Sequence, residues 1–255
     1  MNVIAVQHDV VRGNRGANFD TVRRLLTAGD TPPGSLILLP EMFSTGYSME
    51  VGEVAETKKR ETEKFLSTLA WEYQSHVVGG VVNRDASSGK GRNELAVFDP
   101  AGRPLALYQK IHTFTYGGES DHYLAGEGLV YFDWDRFRVC PLLCYDLRFP
   151  ELFREAVAAG ATLFTVSANW PIERIAHWET LLAARAIENQ SFVVGVNRIG
   201  SDPQMHYGGS SRILDHQGAV LAAAGDGETV LSEALDYPAM KAWREEFPAL
   251  RDRKG

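Results

Sequence analysis

Short apolar runs separated by polar turns recur along the whole chain. Several of these runs are apolar at nearly every position, which is typical of strands that are covered on both faces. The sequence therefore predicts many buried strands. The runs, in chain order, are NVIAVQHD, SLILLPE, HVVGGVVN, ELAVFD, LALYQKI, FRVCPLLC, ATLFTVSAN, SFVVGVNR, SRILD, AVLAAA and ETVLSEAL.

Helical patterns lie between some of these runs, with apolar residues three or four positions apart. The segment FPELFREAVAAG also reads as a helix, because Pro150 stands near its first turn and Gly160 just past its end. Strand, turn, helix and strand then follow one another, which favours an α/β fold. The three periodic patterns are Phe19, Val22 and Leu26; Phe65, Leu69 and Tyr73; and Ile175, Trp178, Leu182 and Ala186.

Two turn segments indicate that antiparallel strands are added to this fold. They are Asp99-Pro100-Ala101-Gly102 and the stretch from Asp215 to Gly218, each between two apolar runs. The chain shows no linker, repeat or low-complexity tract. We therefore expect residues 1–255 to form a single domain.

Composition points to a small molecule as the partner. The chain has 33 acidic and 26 basic residues and a formal net charge of -7, so no general attraction to nucleic acid or to an anionic membrane is expected. The start, MNVIAVQHDV, lacks the pattern of a secretory signal. The longest charge-free stretch, AVAAGATLFTVSANWPI, is shorter than the roughly 20 apolar residues that span a bilayer. We expect a soluble cytoplasmic protein.

The two cysteines do not suit a disulfide or a metal. If the strand that contains them is extended, Cys140 and Cys144 lie about 13 Å apart at roughly 3.3 Å per residue, while a disulfide needs Cα atoms within about 7 Å. Structural zinc usually takes four ligands, and no further Cys or His stands nearby. Neither a disulfide nor a metal site is expected.

Three reactive side chains each stand at the end of an apolar run. Glu41 follows LILLP, Lys110 follows LALYQ and Cys144 ends RVCPLL. Ligands of α/β sheets bind beyond the carboxyl ends of strands, so these residues can converge on one pocket. Each alone also has an ordinary explanation: an inert buried thiol, a carboxylate at a helix start and a solvated lysine.

Together the three side chains form a coherent set for acyl transfer. A thiolate is a strong nucleophile, and we expect the pKa of Cys144 to be lowered by Lys110 and by the helix that starts near Pro150. Glu41 can remove the thiol proton, deliver it to a leaving amine and then activate water. Lys110 and the backbone N–H of Tyr145 can stabilise an oxyanion, each such donor typically contributing ~10² to 10³ in rate.

Three sequence blocks carry a family resemblance. LILLPEMFSTGY, YQKIHTF and CYDLRFPELFRE resemble the signature blocks of the nitrilase superfamily of carbon-nitrogen hydrolases. The resemblance implies that Glu41 is the general base, Lys110 the oxyanion-stabilising lysine and Cys144 the nucleophile. In the segment GGESDHYLAG, Glu119 matches a second glutamate of the family, so the resemblance implies that it joins the catalytic set and positions Lys110 or Cys144, although it also fits an exposed loop glutamate after two glycines. The implied fold is a four-layer αββα sandwich, commonly built into a homodimer.

Within the superfamily, the stretch from SANWP to LLAARAIENQSFVVGVNRIG most resembles the ω-amidase branch. That branch hydrolyses the terminal amide of α-ketoglutaramate and similar dicarboxylic monoamides. The implied reaction forms a thioester on Cys144, releases ammonia and then adds water. Nucleophile, base and electrophile are all side chains, so no metal or organic cofactor is expected.

The substrate carboxylate requires a cation, for which bidentate arginine is the usual solution. Arg174, just beyond NWPIE, is the candidate, although it also fits a solvated residue at a helix start. Several aromatic residues near strand ends are either cleft walls or core. His177 fits a structural role better than a catalytic one, and Arg185 and Glu188 form either a surface pair or a brace for the site. The candidate wall residues are Phe43, Tyr47, Tyr116, His122 and Trp170.

Other functions stay open on the sequence alone. One is another reaction of the same class, performed by a nitrilase, an N-carbamoyl hydrolase or an amidase for larger amides. Another is acyl transfer from the same thioester to an amine. The third is a non-catalytic interaction protein, although such a scaffold has no need for Glu41, Lys110 and Cys144 together.

Overall fold

The computed structural model describes residues 1–203 and 205–254, in which fourteen strands build two six-stranded sheets and a small hairpin. The first sheet has the order β14-β1-β2-β3-β4-β5 and the second β13-β12-β9-β8-β7-β6, while β10 and β11 pair with each other. The strands are β1 (Asn2–Gln7), β2 (Leu36–Leu38), β3 (His76–Arg84), β4 (Gly91–Phe98), β5 (Pro104–Gln109), β6 (Phe132–Trp134), β7 (Phe137–Leu143), β8 (Leu163–Ala168), β9 (Phe192–Asn197), β10 (Ile199–Ser201), β11 (His206–Gly208), β12 (Arg212–Leu214), β13 (Val220–Ala223) and β14 (Thr229–Ala234).

Seven α-helices are present in the described residues, and short 3₁₀ turns follow or precede several of them. No helix in these ranges is both long and apolar enough to cross a membrane. The helices are α1 (Arg15–Ala28), α2 (Val51–Val54), α3 (Glu61–Glu72), α4 (Glu119–His122), α5 (Pro150–Ala158), α6 (Ile175–Asn189) and α7 (Tyr237–Glu246).

Alternate residues of the first sheet belong to two different layers of core. Val3 and Ala5 of β1 pack with residues of the second sheet, whereas Ile4 and Val6 pack with residues of α1 and α3. This alternation is the period-two pattern of a strand. The first sheet therefore lies between the second sheet and a layer of helices.

The second sheet packs in the same way between the first sheet and helices α5 and α6. Phe153 of α5 and Trp178 of α6 are both buried in the core cluster that contains β7, β8 and β9. The order of layers is helix, sheet, sheet, helix. The predicted αββα sandwich is confirmed.

The local patterns predicted most elements at their observed places. Each of the eleven apolar runs contains a strand, and the four helical patterns correspond to α1, α3, α6 and α5. Both predicted hairpins are present, because β4 pairs antiparallel with β5 and β12 with β13. The strands β6, β10 and β11 and the helices α2, α4 and α7 were not predicted.

The helix α7 carried a start signal in the sequence. The Asp236 side chain accepts a hydrogen bond from the Ala239 backbone N–H at 2.9 Å, and Pro238 stands in the first turn. Asp before Pro at a helix start is the expected capping pattern. The strands β6, β10 and β11 have three residues each, too few to show a period.

Parallel strands bring the ends that carry reactive residues to the same edge of the sandwich. In the first sheet β1, β2 and β3 are parallel, and in the second β7, β8 and β9 are parallel. A Cβ on Gly80 would lie 2.2 Å from the Met42 backbone nitrogen, so glycine lets β3 approach the turn after β2 closely. The segment that carries Glu41 therefore packs directly on the sheet.

Candidate active site

Cys144 occupies a sharp turn at the end of β7, before a 3₁₀ turn that leads to α5. Its φ is 41°, a left-handed conformation that is unfavourable for a residue with a side chain. Such backbone strain is concentrated at functional sites. The thiol lies 3.8 Å from the Asn169 carbonyl oxygen, to which it donates a hydrogen bond. Both cysteines are free, as predicted.

The Glu41 carboxylate is fully buried and held by four hydrogen bonds. Its Oε1 accepts from Lys110 Nζ at 2.9 Å and from Asn93 Nδ2 at 2.8 Å. Its Oε2 accepts from the backbone N–H and the side-chain amide of Asn169, at 3.0 and 3.2 Å. Residues of both sheets therefore fix this carboxylate, and it lies between them.

The Lys110 ammonium is paired with two carboxylates. Its Nζ is 2.9 Å from Glu41 Oε1 and 2.8 Å from Glu119 Oε2, and all three side chains are buried. Burial alone would lower the pKa of Lys110, but the charges of Glu119 and Glu41 outweigh it and raise that pKa well above its usual value. Lys110 therefore carries its positive charge inside the protein.

Glu119 stands at the start of α4 and is fixed from two sides. Its Oε1 accepts from Asn93 Nδ2 at 2.9 Å, and its Oε2 accepts from the Phe114 backbone N–H at 2.6 Å. The Asn93 amide thus bridges Glu41 and Glu119. The structure brings together all four residues predicted to be catalytic, at the edge where β2, β5 and β7 end.

The expected lowering of the Cys144 pKa is wrong. Burial raises the pKa of the Cys144 thiol well above its usual value, and the Glu41 carboxylate raises it further, while Lys110 opposes both. Two carboxylates and one ammonium leave an excess of negative charge beside the sulfur. The resting thiol is therefore protonated, and a base must remove its proton when it reacts.

A buried aspartate ties the segment of Lys110 to the turn of Cys144. Asp146 accepts hydrogen bonds from Tyr108 Oη at 2.7 Å, from the His112 backbone N–H at 2.9 Å and from the Leu143 backbone N–H at 3.1 Å. The His112 ring, 3.1 Å away through Nδ1, stacks on Phe149. One side chain therefore fixes the residues that flank both Lys110 and Cys144.

Arg185 of α6 supports the same turn from the helix side. Its Nε and one terminal nitrogen donate to the Leu147 carbonyl at 3.1 and 2.8 Å, and another terminal nitrogen donates to Glu188 at 2.9 Å. Arg185 is buried. Of the two alternatives left by the sequence, these contacts favour a brace for the site over a surface pair.

A pocket of about 400 Å³, including its open mouth, opens onto these residues. Of the residues predicted to contact the substrate, Tyr47, Trp170 and Arg174 line it, and so does Tyr145, whose backbone N–H was predicted to face the oxyanion. The other residues that line it are Glu41, Lys110, Phe114, Cys144, Arg148, Asn169, Pro171 and Met205.

Three predicted wall residues do not line this pocket. Phe43 is fully buried in the core with Phe19 and Phe65, on the helix side of the first sheet. Tyr116 is 87% exposed and contacts Phe114 from outside, and His122 ends α4 on the surface. Their closeness to the motifs in sequence did not reveal on which side of the turn each side chain lies.

Two arginines line the pocket, each over an aromatic ring. The Arg148 guanidinium lies 4.7 Å from the centre of the Trp170 ring, and Arg174 lies 5.7 Å from the Phe114 ring. Burial, together with the charge of Arg174, lowers the pKa of Arg148. His177 is exposed and its Nδ1 is 3.4 Å from the Arg148 guanidinium nitrogens. His177 thus contacts an arginine of the pocket from outside.

Comparison with known proteins agrees with this geometry. Residues 3–245 match the family model described as carbon-nitrogen hydrolase. The chain belongs to this family. The predicted resemblance to the nitrilase superfamily and to its ω-amidase branch is thereby confirmed, and the prediction of an amidase with it.

Three relatives of this carbon-nitrogen hydrolase span most of its length. It is 41% identical to the ω-amidase YafV of Yersinia enterocolitica over 220 residues, covering 85% of this chain and 83% of the relative. It is 32% identical to the 2-oxoglutaramate amidase of Bacillus subtilis, covering 98% and 96%. The solved structure of XC1258 from Xanthomonas campestris, a CN-hydrolase superfamily protein with an arsenic adduct in its active site, superimposes with a TM-score of 0.92 at 32% identity, covering 100% and 97%.

Several residues at the site of this carbon-nitrogen hydrolase were not predicted. Asn169 begins the quoted NWP motif, and Arg148 lies inside the Cys144 block. Both are polar residues that follow a predicted strand, so the sequence could have identified them as candidates for the site. Asn93 lies within an apolar strand, and Phe114 and Met205 lie in loops. Phe114 ends the quoted block YQKIHTF, whereas nothing local marks Asn93 or Met205 as residues near Cys144.

Proposed function

We propose that this carbon-nitrogen hydrolase is an ω-amidase that hydrolyses the terminal amide of a dicarboxylic monoamide such as α-ketoglutaramate. The observation that carries the proposal is the buried cluster of Glu41, Lys110 and Glu119 beside the Cys144 thiol, in a pocket that also contains two arginines. The relatives named ω-amidase and 2-oxoglutaramate amidase support the same substrate class.

In the first half of the proposed cycle, Cys144 attacks the amide carbonyl while Glu41 takes the thiol proton. The raised pKa of the thiol makes this coupled proton removal necessary. Lys110 and the Tyr145 backbone N–H stabilise the oxyanion. The C–N bond then breaks, ammonia leaves with the proton that Glu41 held, and a thioester remains on the sulfur.

In the second half, water attacks the thioester while Glu41 takes a proton from it. The carboxylic acid is released and the thiol of Cys144 recovers its proton. Glu119 does not exchange protons in this scheme. It holds Lys110 through two contacts of 2.8 and 3.2 Å, and its second carboxylate charge keeps the ammonium protonated.

The two arginines of the pocket support an anionic substrate. Arg148 is held against Trp170 and Arg174 is within the same pocket, so two guanidinium groups can meet a carboxylate that extends from the scissile amide. A neutral amide would leave these guanidinium groups without a counterion. We therefore expect monoamides with a distal carboxylate to be preferred over their neutral analogues.

Ammonia release tests the proposal most directly. It is measured with α-ketoglutaramate, succinamate, glutamine, propionamide, a nitrile and a carbamoyl amino acid. The proposal expects the first two to be the best substrates, with Cys144→Ala lowering kcat by at least about 10³-fold and the matched Cys140→Ala retaining activity. Preference for the nitrile or the carbamoyl compound, or an active Cys144→Ala variant, would refute it.

The remaining expectations concern the domain, the location and the partners of the protein. We propose that residues 1–255 act as one domain, because one core cluster joins both sheets. We also propose a cytoplasmic homodimer that binds neither nucleic acid nor membrane, supported by the family resemblance, the free thiols and the net charge of -7. Light scattering during gel filtration tests the dimer, since a single monomeric peak at micromolar concentration would contradict it.

A further inference from the structure

Asn93 of β4 contacts every member of the buried cluster of Glu41, Lys110 and Glu119. Its backbone carbonyl accepts a hydrogen bond from the Lys110 backbone N–H at 2.9 Å. Its side-chain nitrogen donates to Glu41 Oε1 at 2.8 Å and to Glu119 Oε1 at 2.9 Å. Asn93 is buried and does not line the pocket, so it can affect the reaction only through these neighbours.

The two carboxylates are joined by two donors at once. Lys110 Nζ lies 2.9 Å from Glu41 Oε1 and 3.2 Å from Glu119 Oε1, the same two oxygens that the Asn93 amide contacts. Because both oxygens bond to one nitrogen, they lie within two hydrogen-bond lengths of each other. Carboxylates this close tend to share one proton, since their negative charges repel.

The orientation of the Asn93 amide is fixed by these carboxylates. Its nitrogen uses one hydrogen on each of them. Among the described residues none donates to the buried Oδ1, and an unpaired buried acceptor is unfavourable. Turning the amide over would place that oxygen against two carboxylate oxygens. The amide therefore adds a second donor between Glu41 and Glu119 without adding a second positive charge.

We propose that Asn93 is a positioning residue that keeps Glu41 and Glu119 ionised together, which leaves Glu41 able to take the thiol proton. The inference rests on the proposed function, in which Glu41 is the base, and adds the residue that maintains this base. Without the amide the pair would share one proton near neutral pH, and Glu41 would accept the proton of Cys144 less readily. Raising the pH removes the shared proton and restores the base.

Four other titratable side chains around the pair keep their charge state between pH 6.5 and 9. Burial raises the pKa of the two tyrosines and of the thiol among them, and for the ammonium burial is outweighed by the carboxylates, which raise its pKa. A pH-dependent effect of Asn93 in this interval therefore reports on the carboxylates. The four are Tyr47 in the segment after β2, Lys110 after β5, Tyr123 after α4 and Cys144 after β7.

The test measures kcat/KM for succinamate from pH 6.5 to 9 in Asn93→Ala and Asn93→Leu. Alanine removes the amide, and leucine replaces it with the same number of side-chain atoms and no donor. At pH 6.5 each variant should lose roughly 10- to 100-fold, the typical effect of removing a hydrogen bond to a charged group. The loss should shrink by at least about fivefold toward pH 9, because the shared proton leaves the pair.

Asn83→Ala is the matched control. The Asn83 amide on the neighbouring strand β3 donates to the Glu94 carboxylate at 2.7 Å, and Glu94 is buried next to Asn93 in sequence. This variant also removes an amide donor from a carboxylate, but outside the cluster. It should keep the pH profile of the unsubstituted protein.

The pH dependence separates the proposed role from a purely structural one. An equal loss at every pH, in variants whose melting temperatures show that they are folded, would overturn the inference, and so would full activity at pH 6.5. A matching profile in Asn83→Ala would overturn it as well. If the unsubstituted protein releases no ammonia, or if Glu41→Gln stays active, the proposed function itself is refuted.

Discussion

The two thiols of the chain differ in access although only four positions separate them. Cys140 is fully buried in β7, whereas Cys144 is partly exposed and borders the pocket. Burial raises the pKa of both, with Glu41 adding to the effect at Cys144 and Asp146 at Cys140. Reactivity toward an alkylating agent therefore depends on access first and on deprotonation second.

Iodoacetamide should modify Cys144 before Cys140 in the folded protein. Because the pKa of Cys144 is raised, the rate should be low at pH 7 and should still be rising at pH 9, where an ordinary thiol is already largely deprotonated. Peptide mapping after limited labelling identifies the site, and the matched Cys140→Ala variant should keep the labelling rate. Equal labelling of both thiols would contradict the assignment.

His8 links the stability of the fold to pH. It is fully buried beside the Phe43 segment, and burial lowers its pKa from 6.5 to about 4. Between pH 6.5 and about 4 the unfolded chain binds a proton at His8 that the folded chain does not. This group's contribution to stability is therefore complete above pH 6.5 and is lost as the pH falls toward 4.

The free energy of unfolding should decrease by about 3 kcal/mol from this group alone when the pH falls from 7.5 to 4. His8→Gln cannot bind the proton, so its unfolding free energy should depend less on pH over the same interval. Urea unfolding of both proteins at several pH values measures the difference. Parallel pH profiles for the two proteins would show that His8 is not the group responsible.

At the scale of elements, the site depends on how the ends of β5 and β7 are held together. Asp146 links them through hydrogen bonds from Tyr108, His112 and Leu143. The residues it fixes flank Lys110 on one strand end and Cys144 on the other. Asp146 does not line the pocket, so it acts as a positioning residue.

Asp146→Asn should lower kcat by roughly 10- to 100-fold with little change in KM. The amide has only one oxygen to accept these bonds and places an NH₂ where a donor now points, which costs about 1–3 kcal/mol of stability. Asp133→Asn, an exposed position on β6, is the matched control and should change neither value. A fall in stability with unchanged kcat would limit Asp146 to a purely structural role.

The sequence predicted elements well where the deciding signal was local. An apolar run located β7, helical spacing located α6, and Pro150 with Gly160 located α5, while strand ends located Glu41, Lys110 and Cys144. Asn93 and Met205 were not predicted as site residues, because their proximity to Cys144 depends on how distant segments pack. Phe43 was misplaced for the same reason: the direction of one side chain in a turn decides between pocket and core.

On the scale of the whole molecule, the active site is divided between the two sheets. The first sheet and its turns supply Glu41 and Lys110, and the second supplies Cys144 and Asn169. Short hydrogen bonds cross the division near the site. Ser167 Oγ donates to the Leu39 carbonyl at 2.8 Å, and the Asn169 side chain donates to the Glu41 carbonyl at 2.8 Å. The packing of sheet on sheet therefore sets the geometry of the cluster.

Substitution of two fully buried leucines tests whether the packing between the sheets controls catalysis apart from its effect on stability. Leu95 of β4 belongs to the core between the sheets, and Leu66 of α3 belongs to the outer core beneath the helices. Each change to alanine should cost about 2–5 kcal/mol in the free energy of unfolding. Well below the melting temperature, Leu95→Ala should reduce kcat clearly more than Leu66→Ala. Only the cavity left by Leu95→Ala lies between the sheets, where it lets one sheet move against the other. Unfolding by urea and ammonia release at 15 °C measure the two quantities, and equal losses of kcat would show that the sheet interface does not control the site.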